Sequence, residues 1–276
     1  MHDINDVKDF WENNPLWTGE SSYESGSKEF FEEHKNTVIK DCLAGEFDKR
    51  ILPKDENKRR ILDLGCGPGF WTLEFLQRGC VNVVAADLTE NALELTRKRL
   101  SIYGFHATFC LQNAESMSFP DGDFSHVNCQ GVIHHTPNTE ICVKEIARVL
   151  DMNGTACISV YYKNIFLQSW PLLKYPIQFL VWLFGGGLKG RGREKIFFGD
   201  DVNEIIRIYD GNENPIGKAY SKSEFRTMLQ PYFEIEQFFL HFFPARALPF
   251  KLPDSIHRFL DRYFGFMIFA VVKKRL

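Results

Sequence analysis

The chain has 276 residues, 44% of them hydrophobic and 25% charged, a balance that excludes disordered and fibrous proteins and fits a soluble globular protein, either one large domain or a core with elaborations. A net charge of -3 argues against a nucleic-acid partner, which needs a basic excess or stripe; Lys58-Arg59-Arg60, Arg97-Lys98-Arg99 and Lys273-Lys274-Arg275 read as solvated faces. Seven cysteines without a CxxC pair point away from a disulfide framework or a bound metal.

The chain starts His2-Asp3-Ile4-Asn5-Asp6, without the basic segment and apolar core of a secretory signal, so a cytoplasmic location is expected. Residues 1–57 form an aromatic arm, Phe10-Trp11 to Trp17 and Tyr23, followed by an amphipathic helix over Ser27 to Ala44. From residue 58 to 162 strand-like runs at Ile61–Leu64, Val81–Ala86, Ala107–Leu111, His126–Gln130 and Ala156–Tyr161 alternate with helix-like stretches near 70–78, 90–103 and 138–150. That alternation predicts βαβ units, hence an α/β, Rossmann-like, doubly wound and mostly parallel sheet with helices on both faces.

Composition shifts after Tyr162: residues 161–276 hold 25 of the 40 aromatics. Residues 163–220 read as an insertion. Within it, IFLQSWPLLKYPIQFLVWLFGGGL, residues 165–188, has Lys174 as its one charge in 24 residues. Pro171, Pro176 and Gly185-Gly186-Gly187 disfavour a membrane span, as does the need to complete the sheet on the same side. Three readings stay open: an aromatic-rich helical lid over an acceptor pocket, a peripheral membrane contact through 165–195 helped by Lys189, Arg191, Arg193 and Lys195, or a helix pair packed on the core. Residues 221–276 return to sheet patterning. A capping box, Ser221-Lys222-Ser223-Glu224, starts a helix to Leu229, and Phe233–Phe239 and Phe266–Val272 complete a seven-stranded sheet.

The candidate site begins at LDLGCGPGF. Gly65, Gly67 and Gly69 lie between a strand and a helix, where a tight turn lets a ligand approach backbone amides. Asp63 lies two residues before the first glycine, and Asp87 ends the next strand 18 residues after the last. An acid there can accept both ribose hydroxyls of an adenosine ligand. A dinucleotide fingerprint, GxGxxG, needs a third glycine where this chain has Phe70.

With these motifs in order, the chain resembles the class I S-adenosylmethionine-dependent methyltransferases, in particular the small-molecule branch related to quinone-biosynthesis enzymes. The resemblance covers residues 58 to 162. It implies S-adenosyl-L-methionine as cofactor and S-adenosyl-L-homocysteine as product. ILDLGCGPG is similar to the first family motif, placing Asp63, Gly65, Cys66, Gly67 and Gly69 near the amino-acid end of the cofactor. VVAADLTENAL is similar to the second, with Asp87 at the ribose and Leu88 beside the adenine. NAESMSFPDGDFSHV is similar to the third, with Asn113, where an acid is usual, and Ala114 at the adenine. CQGVIHHTPN is similar to the end of the fourth strand, where Gln130 flanks the cofactor.

His134 and His135 follow. Either of them serves as a general base for a hydroxyl or amine acceptor, or His135 simply holds its loop. On the acceptor side stand Trp17, Tyr209, His241 and Arg246, the arginine binding an anion or forming a surface ion pair. The expected acceptor is a partly apolar small molecule, with oxygen favoured over carbon or nitrogen. The alternatives are methylation of tRNA or protein, and a non-catalytic cofactor-binding partner subunit. The sequence leaves the oligomeric state open.

Overall fold

Val-, Ile- and Leu-rich runs covered on both faces make good parallel strands, and β1 (Ile61–Leu64) is buried at all four positions. Residues 2–183, 193–248 and 250–275 are described in the computed structural model of the chain. In chain order, α1 (Ile4–Asn13) and α2 (Lys28–Thr37) precede β1, followed by α3 (Phe70–Gln77), β2 (Val83–Asp87), α4 (Glu90–Ile102) and β3 (Thr108–Leu111). Then come β4 (Phe124–Gln130), α5 (Thr139–Val149), β5 (Leu150–Tyr162), α6 (Ile165–Gln168), α7 (Trp170–Leu183) and α8 (Val202–Tyr209). The chain ends with β6 (Ala219–Tyr220), α9 (Lys222–Leu229), β7 (Phe233–His241), α10 (Asp254–Phe264) and β8 (Met267–Lys274).

The strands run in the order β3-β2-β1-β4-β5-β8-β7. β1 to β5 pair in parallel, and β8 lies antiparallel between β5 and β7. An eighth strand departs from the expected seven. β6 pairs with β5 at Tyr161 and Tyr162, just beyond Ser159, where β4 stops, so it takes over the edge that β4 leaves. The order reverses between β1 and β4: the chain moves outward through β2 and β3, then returns beside β1. Such a switch point opens a crevice at the carboxyl ends of the strands.

The helix expected over 27–44 is regular only to Thr37 and finishes as one π turn, Val38–Cys42. α1 stands where the sequence predicts an aromatic arm. It is a helix with a reciprocal capping box between Asp3 and Asp6. Arg99 departs from the solvated-face reading: it is 1% exposed, with Nη1 donating to Pro68 O at 2.8 Å and Nη2 to Phe31 O at 2.8 Å. Burial lowers its pKa to about 10, so it stays a cation at neutral pH.

α7 does not pack as a core helix. Its one buried residue is Lys174, paired with Asp200, while Leu172, Tyr175, Phe179, Trp182 and Leu183 face outward. The reading of a helix pair packed on the core is therefore set aside for α7. Gly185-Gly186-Gly187, Lys189 and Arg191 lie outside the described residues, as does the side chain of Arg193. Among the described residues, no helix is long and apolar enough to cross a membrane.

Candidate active site

The turn after β1 is shaped by two constraints. Gly65 has φ +73, and a Cβ there would stand 2.2 Å from Val132 Cγ2. Gly69 has φ +74 at the N-cap of α3, and its Cβ would meet Thr96 at 2.8 Å. Both positions need glycine for conformation and for space. Thr96 Oγ1 also donates to Gly67 O at 2.8 Å and Arg99 holds Pro68 O, so α4 pins the turn from the side.

Asp63 lies under the turn instead of lining the cleft. At 1% exposure its carboxylate accepts from Thr72 Oγ1 at 2.5 Å and Asn128 Nδ2 at 2.7 Å, tying β1 to α3 and β4. Burial raises its pKa to about 6 against the pull of those bonds. Cys66 is likewise buried, with its Sγ accepting from Thr96 Oγ1 at 3.4 Å, and burial pushes its thiol far up.

Asp87 ends β2 facing the turn. Oδ2 accepts from Gly67 N at 3.0 Å, and Oδ1 accepts from Thr89 N at 3.1 Å and Thr89 Oγ1 at 2.9 Å. Burial raises its pKa, with these bonds opposing the shift. A cleft of about 840 Å³ opens here, its mouth included. Of the expected cofactor residues it is lined by Gly65, Gly67, Asp87, Leu88, Asn113, Ala114 and Gln130, joined by Gly131 and His135.

The cleft has a roof that sequence reading missed. Ile4, Val7 and Trp11 of α1, with Pro15 and Leu16, close one side. Their i, i+3, i+7 spacing after the Asp3 cap was the available signal. Glu12 fastens this helix: Oε2 accepts from Glu90 N at 2.9 Å and Oε1 from Asn91 N at 3.0 Å, while Asn91 Nδ2 donates to Glu12 O at 2.8 Å. A carboxylate at the amino end of α4 also meets the positive end of its dipole.

One wall atom tests the fit of the expected cofactor. Gln130 spends its Nε2 on Asn128 Oδ1 at 2.9 Å and Cys157 O at 3.0 Å, leaving Oε1 a buried acceptor with no protein partner. An orphaned acceptor beside a glycine backbone suits a cationic amino group. Asp87 suits ribose hydroxyls, and Leu88 and Ala114 suit the faces of an adenine. These residues fit an adenosine ligand with a cationic tail.

The two histidines part company. His134 is 1% exposed and its ring nitrogens are buried without partners; the ring packs 4.7 Å from Tyr161 and 4.2 Å from His135. Burial holds its pKa well below the usual range, so it is neutral and absent from the cleft wall. His135 lines the cleft, yet Nδ1 lies 2.7 Å from Ile216 O and Nε2 lies 3.2 Å from Asp210 Oδ2. Asp210 Oδ1 in turn accepts from Tyr161 OH at 3.0 Å. Both imidazole nitrogens thus point to the 163–220 segment, and this geometry holds the loop.

The four residues expected on the acceptor side stand away from the cleft lining. Trp17 packs with Phe30, Phe31 and Leu95 under the Arg246 guanidinium, which pairs with Glu20 at 2.6 Å. Tyr209 is buried against Tyr161 and Phe242. His241 is bonded to Asp261 and Asp48.

Residues 61–154 match the family described as a methyltransferase domain. With that match, the fold, the glycine turn and Asp87 agree with a class I S-adenosylmethionine-dependent methyltransferase domain in this part of the chain. Its relatives include quinone-biosynthesis enzymes. The chain is 28% identical over 151 residues to 2-methyl-6-phytyl-1,4-hydroquinone methyltransferase 2, chloroplastic, of Oryza sativa subsp. japonica, covering 51% of this chain and 43% of that one. It is 32% identical over 136 residues to the demethylmenaquinone methyltransferase of Lactococcus lactis subsp. lactis (strain IL1403), covering 47% and 54%. The chain thus spans about half the length of these relatives. Among solved structures, a chain of the complex between the Haloferax volcanii Trm112 methyltransferase activator and the putative methyltransferase superposes over 98% of both chains, with a TM-score of 0.59 and 16% identity. At that identity the likeness speaks to the fold alone.

Proposed function

We propose that the chain transfers a methyl group from S-adenosylmethionine to the oxygen of a partly apolar small molecule, a phenol or quinone precursor being the best fit. The observation that carries this reading is the two-sided cleft: Asp87, Gly65, Gly67 and Gln130 on one wall, and Ile4, Val7, Trp11 and Leu16 on the other. When bound, the cofactor supplies an electrophilic methyl on a sulfonium. The chain's own work is to bind, align and keep water out. Asp87 accepts the ribose hydroxyls, Gln130 Oε1 takes the amino group, and the apolar roof sets the acceptor in line. Such alignment is worth roughly 7–11 kcal/mol.

Base chemistry narrows the acceptor. Both nitrogens of His135 are engaged and Asp87 is committed to the cofactor side, so among the described residues no free base lines the cleft. An acceptor whose hydroxyl is already acidic, such as a phenol, fits this wall better than an aliphatic alcohol. Calorimetry with S-adenosylhomocysteine tests the cofactor half: binding to the wild type, weakened about tenfold or more in Asp87→Asn by loss of a charge-assisted bond. A wild type that shows no binding heat sinks the proposal. Transfer of labelled methyl to phenols, and not to matched alkanols, tests the acceptor half.

A further inference from the structure

We propose that α7 and α10 form a docking surface for an anionic lipid bilayer, on which the protein sits without crossing. α7 has an inverted burial pattern. Its lysine is its one buried residue, neutralised by Asp200, and Trp170 anchors the amino-terminal end by stacking on Phe197 at 5.6 Å and donating Nε1 to Ile196 O at 3.1 Å. The apolar residues are left in water: Leu172 is 78% exposed, Tyr175 66%, Phe179 59% and Trp182 74%. Their spacing, i, i+3, i+7 and i+10, places them on one stripe. A contiguous exposed apolar stripe rimmed by polar residues marks an interaction site.

α10 repeats the arrangement at closer charge spacing. Ile256, Phe259 and Tyr263 form an exposed stripe, again at i, i+3 and i+7, flanked by exposed Arg258 and Arg262. The two helices are fastened near one end: Phe166, just before α7, lies 5.3 Å from Phe264 at the end of α10, and Asn164 Nδ2 donates to Phe264 O at 3.0 Å.

Charge selects the occupant. α7 contains no acidic residue, and around the two stripes exposed Lys195, Lys251, Arg258 and Arg262 outnumber exposed Asp201 and Asp254, Asp200 being paired with Lys174. The molecule as a whole carries -3, so this local basic excess around an apolar stripe is opposite to the global balance. Aromatic rings with polar tips and flanking cations match the boundary between anionic headgroups and acyl chains. No described helix is long and apolar enough to span, which leaves docking in the plane of the surface.

The test uses the full chain and sedimented vesicles of phosphatidylcholine, with or without phosphatidylglycerol, and needs neither cofactor nor acceptor. The wild type is expected to sediment with phosphatidylglycerol vesicles at low salt, less at high salt, and weakly with phosphatidylcholine alone. Phe179→Glu with Trp182→Glu lowers the bound fraction about tenfold or more. Arg258→Glu with Arg262→Glu removes the preference for anionic lipid. Unchanged melting temperature and S-adenosylhomocysteine binding in both variants show that the fold and cofactor site are intact. Three results would each overturn the proposal: a wild type that stays in the supernatant, equal sedimentation with neutral vesicles, or a wild-type dimer that the Phe179/Trp182 variant splits, which assigns the face to a second copy. Because cofactor binding is measured separately, failure here leaves the methyl-transfer reading standing.

Discussion

Arg99 shows how a single side chain on a neighbouring helix shapes the cofactor turn. It links Phe31 O of α2 to Pro68 O of the turn and also lies 3.2 Å from His34 Nδ1. Replacing it with Met keeps much of the bulk but strands two carbonyls, each costing about 1–3 kcal/mol. Urea unfolding is expected to show Arg99→Met destabilised by about 2–5 kcal/mol, with Arg99→Lys recovering little, because an ammonium cannot span both carbonyls as the planar fork does. A change under 0.5 kcal/mol would contradict this account. Gly65→Ala is the sharper test of the turn itself. Its φ costs roughly 1–2 kcal/mol for any L side chain, and the methyl would overlap Val132, 2.2 Å away. We expect at least a tenfold loss of S-adenosylhomocysteine affinity by calorimetry. The turn was legible because glycine spacing is dictated by backbone. The role of Arg99 was hidden by its charge, although Ala92, Leu95 and Arg99 fall on one buried face of α4 at helical spacing.

Elements are tied together at the β7 edge of the sheet by ion pairs that no local pattern announces. His241 at the end of β7 has Nδ1 2.6 Å from Asp261 of α10 and Nε2 2.9 Å from Asp48, a residue 193 positions earlier. Burial alone would lower its pKa, but the bonds to Asp261 and Asp48 raise it above the usual value. Asp48 shows the mirror case: burial would raise it, and hydrogen bonds from His241 and Arg50 hold it below its usual range. The signs then follow. The His241 contribution is complete below the unfolded histidine value near 6.5 and is lost as pH climbs through the raised folded value. The Asp48 contribution is complete above its unfolded value near 3.8 and fades as pH falls. The melting-temperature gap between wild type and His241→Asn should therefore be wider at pH 6 than at pH 9; an equal gap at both would show that the pairing contributes nothing. Sequence spacing points to His241 as an acceptor contact because long-range carboxylates are invisible to it. The strands β1, β2 and β4 were legible because buried parallel strands leave continuous apolar runs, whereas β3, half-exposed at the edge of the sheet, was legible from its place in the alternation. α7 misled for the opposite reason, its apolar residues pointing outward.

At the scale of the whole molecule, the switch point between β1 and β4 places the cleft, and the first helix of the chain closes it. α1 reaches the site from outside the sheet and is held by Glu12 on the amino end of α4, so the proposed function makes cofactor affinity depend on a segment that contributes little core: Val7 is its one buried residue. This separates binding from stability in a measurable way. In the wild type, S-adenosylhomocysteine at 100 times its dissociation constant stabilises the fold by about 2.7 kcal/mol, which corresponds to roughly 5–10 °C in a domain of this size. Removing residues 1–14 takes away Ile4, Val7, Trp11 and the Glu12 clamp together. The ligand-free melting temperature should then fall by only a few degrees, whereas the shift at the same ligand concentration should shrink by half or more. An undiminished shift would mean that α1 covers the cleft without contributing to it, and the roof would have to be assigned to Pro15 and Leu16 alone.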